Sequence, residues 1–83
     1  MDDSIREFAL TVLRTDLNLT VRDDIDAQTP LGAGGLGLDS FTIMELAVRA
    51  EDEFDADIVR FLDGALPTSF GEFVDSVERG RRT

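Results

Sequence analysis

Residues 36–54 read LGLDSFTIMELAVRAEDEF, and this stretch is the most informative part of the chain. A flexible, glycine-containing approach leads to Asp39 and Ser40. The residues after Ser40 have the composition and spacing of an amphipathic helix that ends near Phe54. At about 100° per residue, this helix has one narrow apolar face, which we assign to the protein core. The residues of that face are Ile43, Leu46, Ala47, Ala50 and Phe54.

The same predicted helix carries a second apolar strip on roughly the opposite side. Phe41, Met44 and Val48 form this strip, and Glu45 and Asp52 are interleaved with them. Another helix of the same bundle could cover the strip. Alternatively, it could be an exposed docking surface, because partner sites often combine an apolar patch with a polar rim. Taken alone, the residues slightly favour the first interpretation.

Ser40 lies at the predicted start of this helix, where a serine has two possible roles. Its hydroxyl could simply cap the helix. Alternatively, its oxygen could carry a phosphate diester, whose negative charge the unpaired N–H groups and the positive helix end would favour. The position alone leaves both roles open.

The composition excludes several classes of site. The chain has 83 residues, which predicts a single domain over residues 1–83. It contains no Cys, so it can form neither a disulfide nor a thiolate metal site. It also contains no His, and all eight basic residues are Arg. No imidazole, thiol or amine is therefore present to activate a serine nucleophile, and we expect a protein that is not an enzyme and holds no metal.

The charge balance indicates the kind of partner. The net charge is −10, which repels nucleic acid and anionic lipid and favours enzyme surfaces lined with Arg or Lys. The same acidity could serve only to keep a small domain soluble. The chain begins without a signal-peptide pattern and has no apolar run long enough to span a membrane. We expect a cytoplasmic monomer.

Helical periodicity in the rest of the chain predicts an all-α bundle of three principal helices and one short one. Ser4 and Glu7 have capping-box spacing, and the first helix should fade near residues 16–18. A long loop follows to Leu38, with Leu19, Val21, Ile25, Leu31 and Leu36 as possible anchors. A brief third helix is predicted from Ile58, Val59, Phe61 and Leu62. Ser69 and Glu72 should cap the last helix, whose buried stripe is Phe70, Phe73, Val74 and Val77.

The stretch from Leu36 to Phe54 resembles the acyl carrier protein family, whose Leu-Gly-x-Asp-Ser-Leu motif it matches except at Phe41. The order of helices and loop is also similar over nearly the whole chain. The resemblance implies a 4′-phosphopantetheine arm bound covalently to Ser40, with Asp39 beside it. It also implies a docking face for partner enzymes, made of Phe41, Met44, Glu45, Val48, Glu51 and Asp52. The implied partners are a phosphopantetheinyl transferase and acyl-transferring, ketosynthase-type or other biosynthetic enzymes with basic docking surfaces.

Three departures from the family pattern bear on the pathway. Thr42 stands where the family often has an acidic residue, and residues 58–60 replace a common Ile-Pro-Asp. Gly32-Ala33-Gly34-Gly35 makes the loop longer than in housekeeping fatty-acid members. These features favour a carrier of acyl intermediates in polyketide, specialised fatty-acid or related biosynthesis. A peptidyl carrier is a neighbouring alternative, although Gly37-Leu38-Asp39 resembles the acyl side. An acidic helical interaction module with no prosthetic group is a third interpretation, in which Ser40 is only a cap.

Overall fold

Three α-helices form the frame of the computed structural model, which describes residues 3–58 and 66–81. Helix α1 spans Asp3–Thr11, α2 spans Ser40–Phe54 and α3 spans Phe70–Gly80. In the two described ranges there is no β-strand, only two isolated β-bridges. The predicted all-α class is confirmed. The predicted short helix lies outside the described residues, apart from Ile58, which is buried and not helical.

The three helices enclose one core, because each presents a single apolar stripe to the other two. The assigned core face of α2 is confirmed: Ile43, Leu46, Ala47 and Ala50 are buried. Phe54, at the end of this face, is half-buried and packs edge-on against Phe8 of α1, with the ring centroids 5.2 Å apart. The largest fully buried side chains are Ile5, Leu13, Leu31, Leu46, Ile58, Phe70, Phe73 and Val77.

The first helix differs from its prediction at its start and in the conformation of its last turn. Ser4 lies inside α1, so it is not the N-cap residue that its spacing to Glu7 suggested. After Thr11 the chain continues as a π-helical segment, Val12–Asp16. This segment ends where Asn18 takes a left-handed conformation, with φ at 55°. The backbone N–H of Leu19 donates to the Leu13 carbonyl at 2.8 Å and closes the end. The helical region therefore ends in the predicted place.

The long loop after Asn18 packs on the helices through most of the expected anchors. Leu31 and Ile25 are buried, and Val21 and Leu36 are partly buried against the core. Leu19 does not act as an anchor, because 38% of its surface is exposed. Arginines of the first helical region add polar contacts. Arg14 donates to the Val21 carbonyl at 2.8 Å and to the Asp23 carboxylate at 2.6 Å.

Backbone hydrogen bonds join the second half of this loop to the start of α3. The N–H groups of Phe70 and Gly71, which have no partner within their own helix, donate to the carbonyls of Thr29 and Ala27, both at 2.9 Å. In return, the Leu31 N–H donates to the Thr68 carbonyl at 3.0 Å. Gly71 is required here, because a Cβ at this position would lie 2.7 Å from the Ala27 carbonyl oxygen.

Side chains complete the start of α3. The predicted capping box is confirmed, with the Ser69 hydroxyl accepting from the Glu72 N–H at 3.1 Å and the Glu72 carboxylate accepting from the Ser69 N–H at 3.2 Å. Hydrogen bonds from the side chain and the backbone of Thr68 lower the pKa of Glu72 below its usual value. The start of α3 is thus fixed by the loop and by its own side chains.

Candidate functional site

Ser40 is the first residue of α2, and the side chain before it caps the helix. Oδ1 of Asp39 accepts from the backbone N–H of Thr42 at 2.7 Å, and Asp39 has the extended backbone of an N-cap residue. The interpretation of Ser40 as the cap is therefore wrong. Asp and Ser cap helices about equally well, so sequence could not decide between two adjacent candidates. The Ser40 side chain is exposed, and its hydroxyl makes no hydrogen bond within the described residues.

The electrostatics at this helix start are set by Asp39. Hydrogen bonds from the side chain and then the backbone of Thr42 lower the pKa of Asp39 below its usual value, so the group is a carboxylate at neutral pH. Its charge is stabilised by the positive end of α2. Because Asp39 accepts a hydrogen bond from the Thr42 N–H, it fixes the first turn of α2. This also fixes the direction in which the Ser40 side chain points away from the helix.

The glycine-containing approach to Ser40 is a set of hydrogen-bonded turns, in contrast to the flexible segment expected from its composition. The Gly37 N–H donates to the Gly32 carbonyl at 2.9 Å, and the Leu38 N–H donates to the Leu31 carbonyl at 2.8 Å. Gly37 has a φ of 70°, which glycine adopts at little cost. Leu38 is buried, so the chain is anchored two residues before Ser40.

The other serines differ from Ser40 in their surroundings. Ser69 is engaged in the capping box of α3. Ser76 is buried, and its hydroxyl donates to the Glu72 carbonyl at 2.8 Å. Ser4 lies in the first turn of α1. Ser40 is therefore the one serine of the described chain that combines exposure, an unengaged hydroxyl and a helix start directly after a capping acid.

The second apolar strip of α2 faces outwards. The exposed fraction is 77% for Phe41, 49% for Val48 and 37% for Met44. The alternative in which another helix covers the strip is wrong for Phe41 and Val48. Met44 is nearly two-thirds covered, so the strip is most exposed at Phe41, next to Ser40.

The three predicted acidic contacts of α2 have different surroundings. Asp52 is exposed and has no ion-pair partner in residues 3–58 and 66–81. Glu45 is half-buried and pairs with Arg49, from Oε1 to Nε at 3.0 Å. The Oε2 atom of Glu51 accepts from the backbone N–H of Ile58 at 2.8 Å, so this carboxylate also ties α2 to the segment that follows it. The i,i+4 spacing of Glu45 and Arg49 could have indicated the first of these bonds, whereas no local pattern indicates the second.

An apolar cleft lies beside the first half of α2. The cleft is formed where the glycine-containing turn and the segment before α3 meet Ile43, and its other lining residues are Pro30, Gly32, Ala33, Leu66, Pro67 and Thr68. Ile43 lies one helical turn after Ser40, so the cleft opens on the same end of α2.

Comparison with known proteins decides the family. Residues 5–63 match the family model described as the phosphopantetheine attachment site. The chain belongs to the acyl carrier protein family. No curated protein and no solved structure matches the chain significantly. The predicted family and the predicted 4′-phosphopantetheine cofactor, which such carrier proteins bind covalently through a serine, are both confirmed.

The geometry of this carrier protein suits the cofactor. A covalent arm needs a hydroxyl that a second enzyme can reach, and an attached phosphate needs an electropositive environment. The start of α2 supplies both, through an exposed Ser40 and a positive helix end. No helix in the described part of the carrier protein is long and apolar enough to cross a membrane.

Proposed function

We propose that Ser40 is the residue of this carrier protein to which 4′-phosphopantetheine is attached. One observation carries the proposal: Ser40 is the only serine within residues 5–63, the part of the chain that matches the attachment-site family. The exposure of its side chain and its position directly after the Asp39 cap support the same assignment.

Residues around Ser40 have separate roles in this proposal. A separate transferase would attach the arm from coenzyme A. As the Ser40 oxygen bonds to phosphorus, the pyrophosphate bond of coenzyme A would break, adenosine 3′,5′-bisphosphate would leave, and the hydroxyl proton would pass to a base of the transferase. The bound arm supplies a terminal thiol that holds an acyl group as a thioester. Asp39 positions Ser40 by capping α2, and the helix end stabilises the phosphate charge. The chain itself catalyses no step, in keeping with its lack of His, Cys and Lys.

The outer face of α2 is the proposed docking surface for partner enzymes. We call Phe41, Met44, Val48, Glu45, Glu51 and Asp52 the docking face. Phe41 and Val48 offer apolar surface near Ser40, and Asp52 offers an unpaired charge in the described chain. A net charge of −10 suits basic surfaces on a phosphopantetheinyl transferase and on acyl-transferring or ketosynthase-type enzymes. Such charge-steered encounters suit a carrier that must bind and release several enzymes.

The proposed cargo is an acyl intermediate of polyketide, specialised fatty-acid or related biosynthesis. The long glycine-containing turn and Thr42 support this choice over a housekeeping role, and Gly37-Leu38-Asp39 supports it over a peptidyl carrier. The interpretation as an interaction module without a prosthetic group is disfavoured by the family match. We further propose that residues 1–83 form one domain of a cytoplasmic, monomeric carrier. In support, α3 begins beyond the matched residues but packs Phe70 and Phe73 into the same core.

The test of this proposal is the intact mass of the protein after co-expression with a broad-specificity phosphopantetheinyl transferase. The wild type should gain one phosphopantetheine group, and Ser40→Ala should gain none. Because the Ser40 hydroxyl does not cap α2, the substitution should change stability by no more than about 0.5 kcal/mol. Ser69→Ala, which removes an engaged serine, is the control and should still be modified. Modification of the Ser40→Ala protein would refute the assignment.

A further inference from the structure

Arg49 is a cation beside an otherwise acidic docking face. Its Nε atom lies 3.0 Å from Oε1 of Glu45, one turn earlier on α2. Its Nη1 atom lies 2.9 Å from Oδ2 of Asp16, at the end of the π-helical segment. The guanidinium therefore binds two carboxylates with different nitrogens. Its planar, forked geometry allows both bonds at once.

The position of Arg49 on the helix places it at the border of the docking face. At about 100° per residue, Arg49 lies about 40° from Glu45 around α2, and Asp52 lies on the other side of Glu45. Arg49 and Asp52 also line one shallow depression together with Val48, Glu51, Asp55 and Ala56. The two ion pairs involve the side chains of Arg49, Glu45 and Asp16. Each of these side chains is between 35% and 42% exposed, so an incoming protein could reach it.

We propose that Arg49 is a specificity-determining residue that masks Glu45 from basic partner enzymes. In the free protein the Glu45 carboxylate is already paired, so an Arg or Lys of a partner must displace Arg49 before it can take the place of that pair. Asp52 needs no such displacement. Basic partners that contact Asp52 therefore bind more readily than basic partners that contact Glu45. This difference in affinity lets the protein discriminate among enzymes that all have basic surfaces.

The inference rests on the proposed docking function of α2. It predicts that kcat/KM for a basic enzyme rises when the pair of Arg49 and Glu45 is broken by removing Arg49. Losing Arg49 should expose Glu45 and raise the attraction of the docking face for a basic enzyme. Exposed ion pairs contribute little each, so the expected rise in kcat/KM at low salt is about two- to five-fold. The rise should come from a lower KM with kcat unchanged, because Arg49 does not contact Ser40. It should shrink as salt is added.

The experiment measures modification of the chain by a phosphopantetheinyl transferase with coenzyme A, for Arg49→Gln in the wild-type and in the Glu45→Gln background. If Arg49 acts through Glu45, the rise should be present in the first background and absent in the second. Arg49→Lys retains the positive charge and should reduce the rise. The matched control is Arg79→Gln on α3, where Arg79 and Asp75 form an ion pair of the same spacing and length, 3.0 Å. It removes the same charge and should leave KM unchanged.

Asp16→Asn tests whether Arg49 only ties α2 to the first helical region. This variant breaks the other bond of Arg49 but leaves Glu45 masked, so it should not raise kcat/KM. The inference is overturned if Arg49→Gln leaves kcat/KM unchanged or lowers it. It is also overturned if Asp16→Asn or Arg79→Gln gives the same rise, or if the rise persists without Glu45. Failure of the proposed docking function gives a different result, because then Asp52→Lys would also leave kcat/KM unchanged. If the proposed attachment is wrong, even the wild type gains no phosphopantetheine.

Discussion

Leu46 and Phe41 lie on opposite faces of α2, and replacing each by alanine should separate stability from recognition. Leu46 is fully buried between the helices, whereas 77% of Phe41 is exposed. Leu46→Ala removes packed atoms and leaves a cavity, which should cost about 2–5 kcal/mol. For a domain of this size, 1 kcal/mol lowers Tm by about 4–8 °C, so the melting point should fall by about 10 °C or more.

Phe41→Ala should change stability little, by about 0.5 kcal/mol or less, because most of the side chain contacts no other part of the protein. The loss should appear in partner binding. Phe41 exposes about 150 Å² of side-chain surface, taking about 200 Å² for a whole phenylalanine. At 25 cal/mol per Å², full burial in a partner would contribute about 4 kcal/mol. Ordering costs reduce this figure, so we expect a loss of at least about 1 kcal/mol, or roughly five-fold in kcat/KM.

The assay pairs thermal melts followed by circular dichroism with transferase kinetics on each variant. Met44→Ala is a less clean probe than Phe41→Ala, because Met44 is only 37% exposed and should also lose some stability. Val48→Ala, at 49% exposure, is a second test of the same face. Equal destabilisation by Leu46→Ala and Phe41→Ala would refute the division of α2 into a core face and a docking face. Unchanged kinetics for Phe41→Ala would place recognition elsewhere.

Two further predictions concern charge. Asp52→Lys should slow modification by the transferase more than Glu45→Lys does, because Glu45 is already paired with Arg49. Added salt should slow the wild-type reaction, because it screens exposed charges. Equal rates for the wild type and Asp52→Lys at all salt concentrations would contradict this prediction. The pKa values of Asp39 and Glu72 are lowered from 3.8 and 4.5, so their stabilising effect is complete above these values and is lost as pH falls through the folded-state pKa values. Stability measured by denaturant unfolding should therefore decline below about pH 4.5, and the decline should be smaller in an Asp39→Asn, Glu72→Gln double variant.

Much of the fold could be predicted from sequence, because it depends on local periodicity. The two faces of α2 follow from the 3.6-residue repeat, and the Ser69–Glu72 capping box follows from a spacing of three residues. The start of α2 was predicted only to within one residue, since Asp39 and Ser40 are both good caps. The family motif predicts Ser40 as the attachment site, which stays a prediction, whereas the family itself is confirmed.

The remaining features depend on contacts between residues far apart in the sequence, which no local pattern specifies. The Arg49–Asp16 ion pair joins residues 33 positions apart. The bonds that the Phe70 and Gly71 N–H groups donate to the Thr29 and Ala27 carbonyls are made by backbone atoms, so no local pattern of side chains predicts them. Glycine content indicated flexibility in the approach to Ser40, although the same residues allow the tight, hydrogen-bonded turns observed there.

The bonds between the loop and α3 also determine which parts of the molecule can shift against each other. Pro30 and Thr68 lie within this bonded region, so we expect them to move together with the start of α3 as one unit. Ile43, on the opposite wall of the apolar cleft, belongs to α2. The width of the cleft is therefore governed by the displacement of α2 relative to that unit. We therefore expect a partner that binds the proposed docking face of α2 to change the width of the cleft next to Ser40.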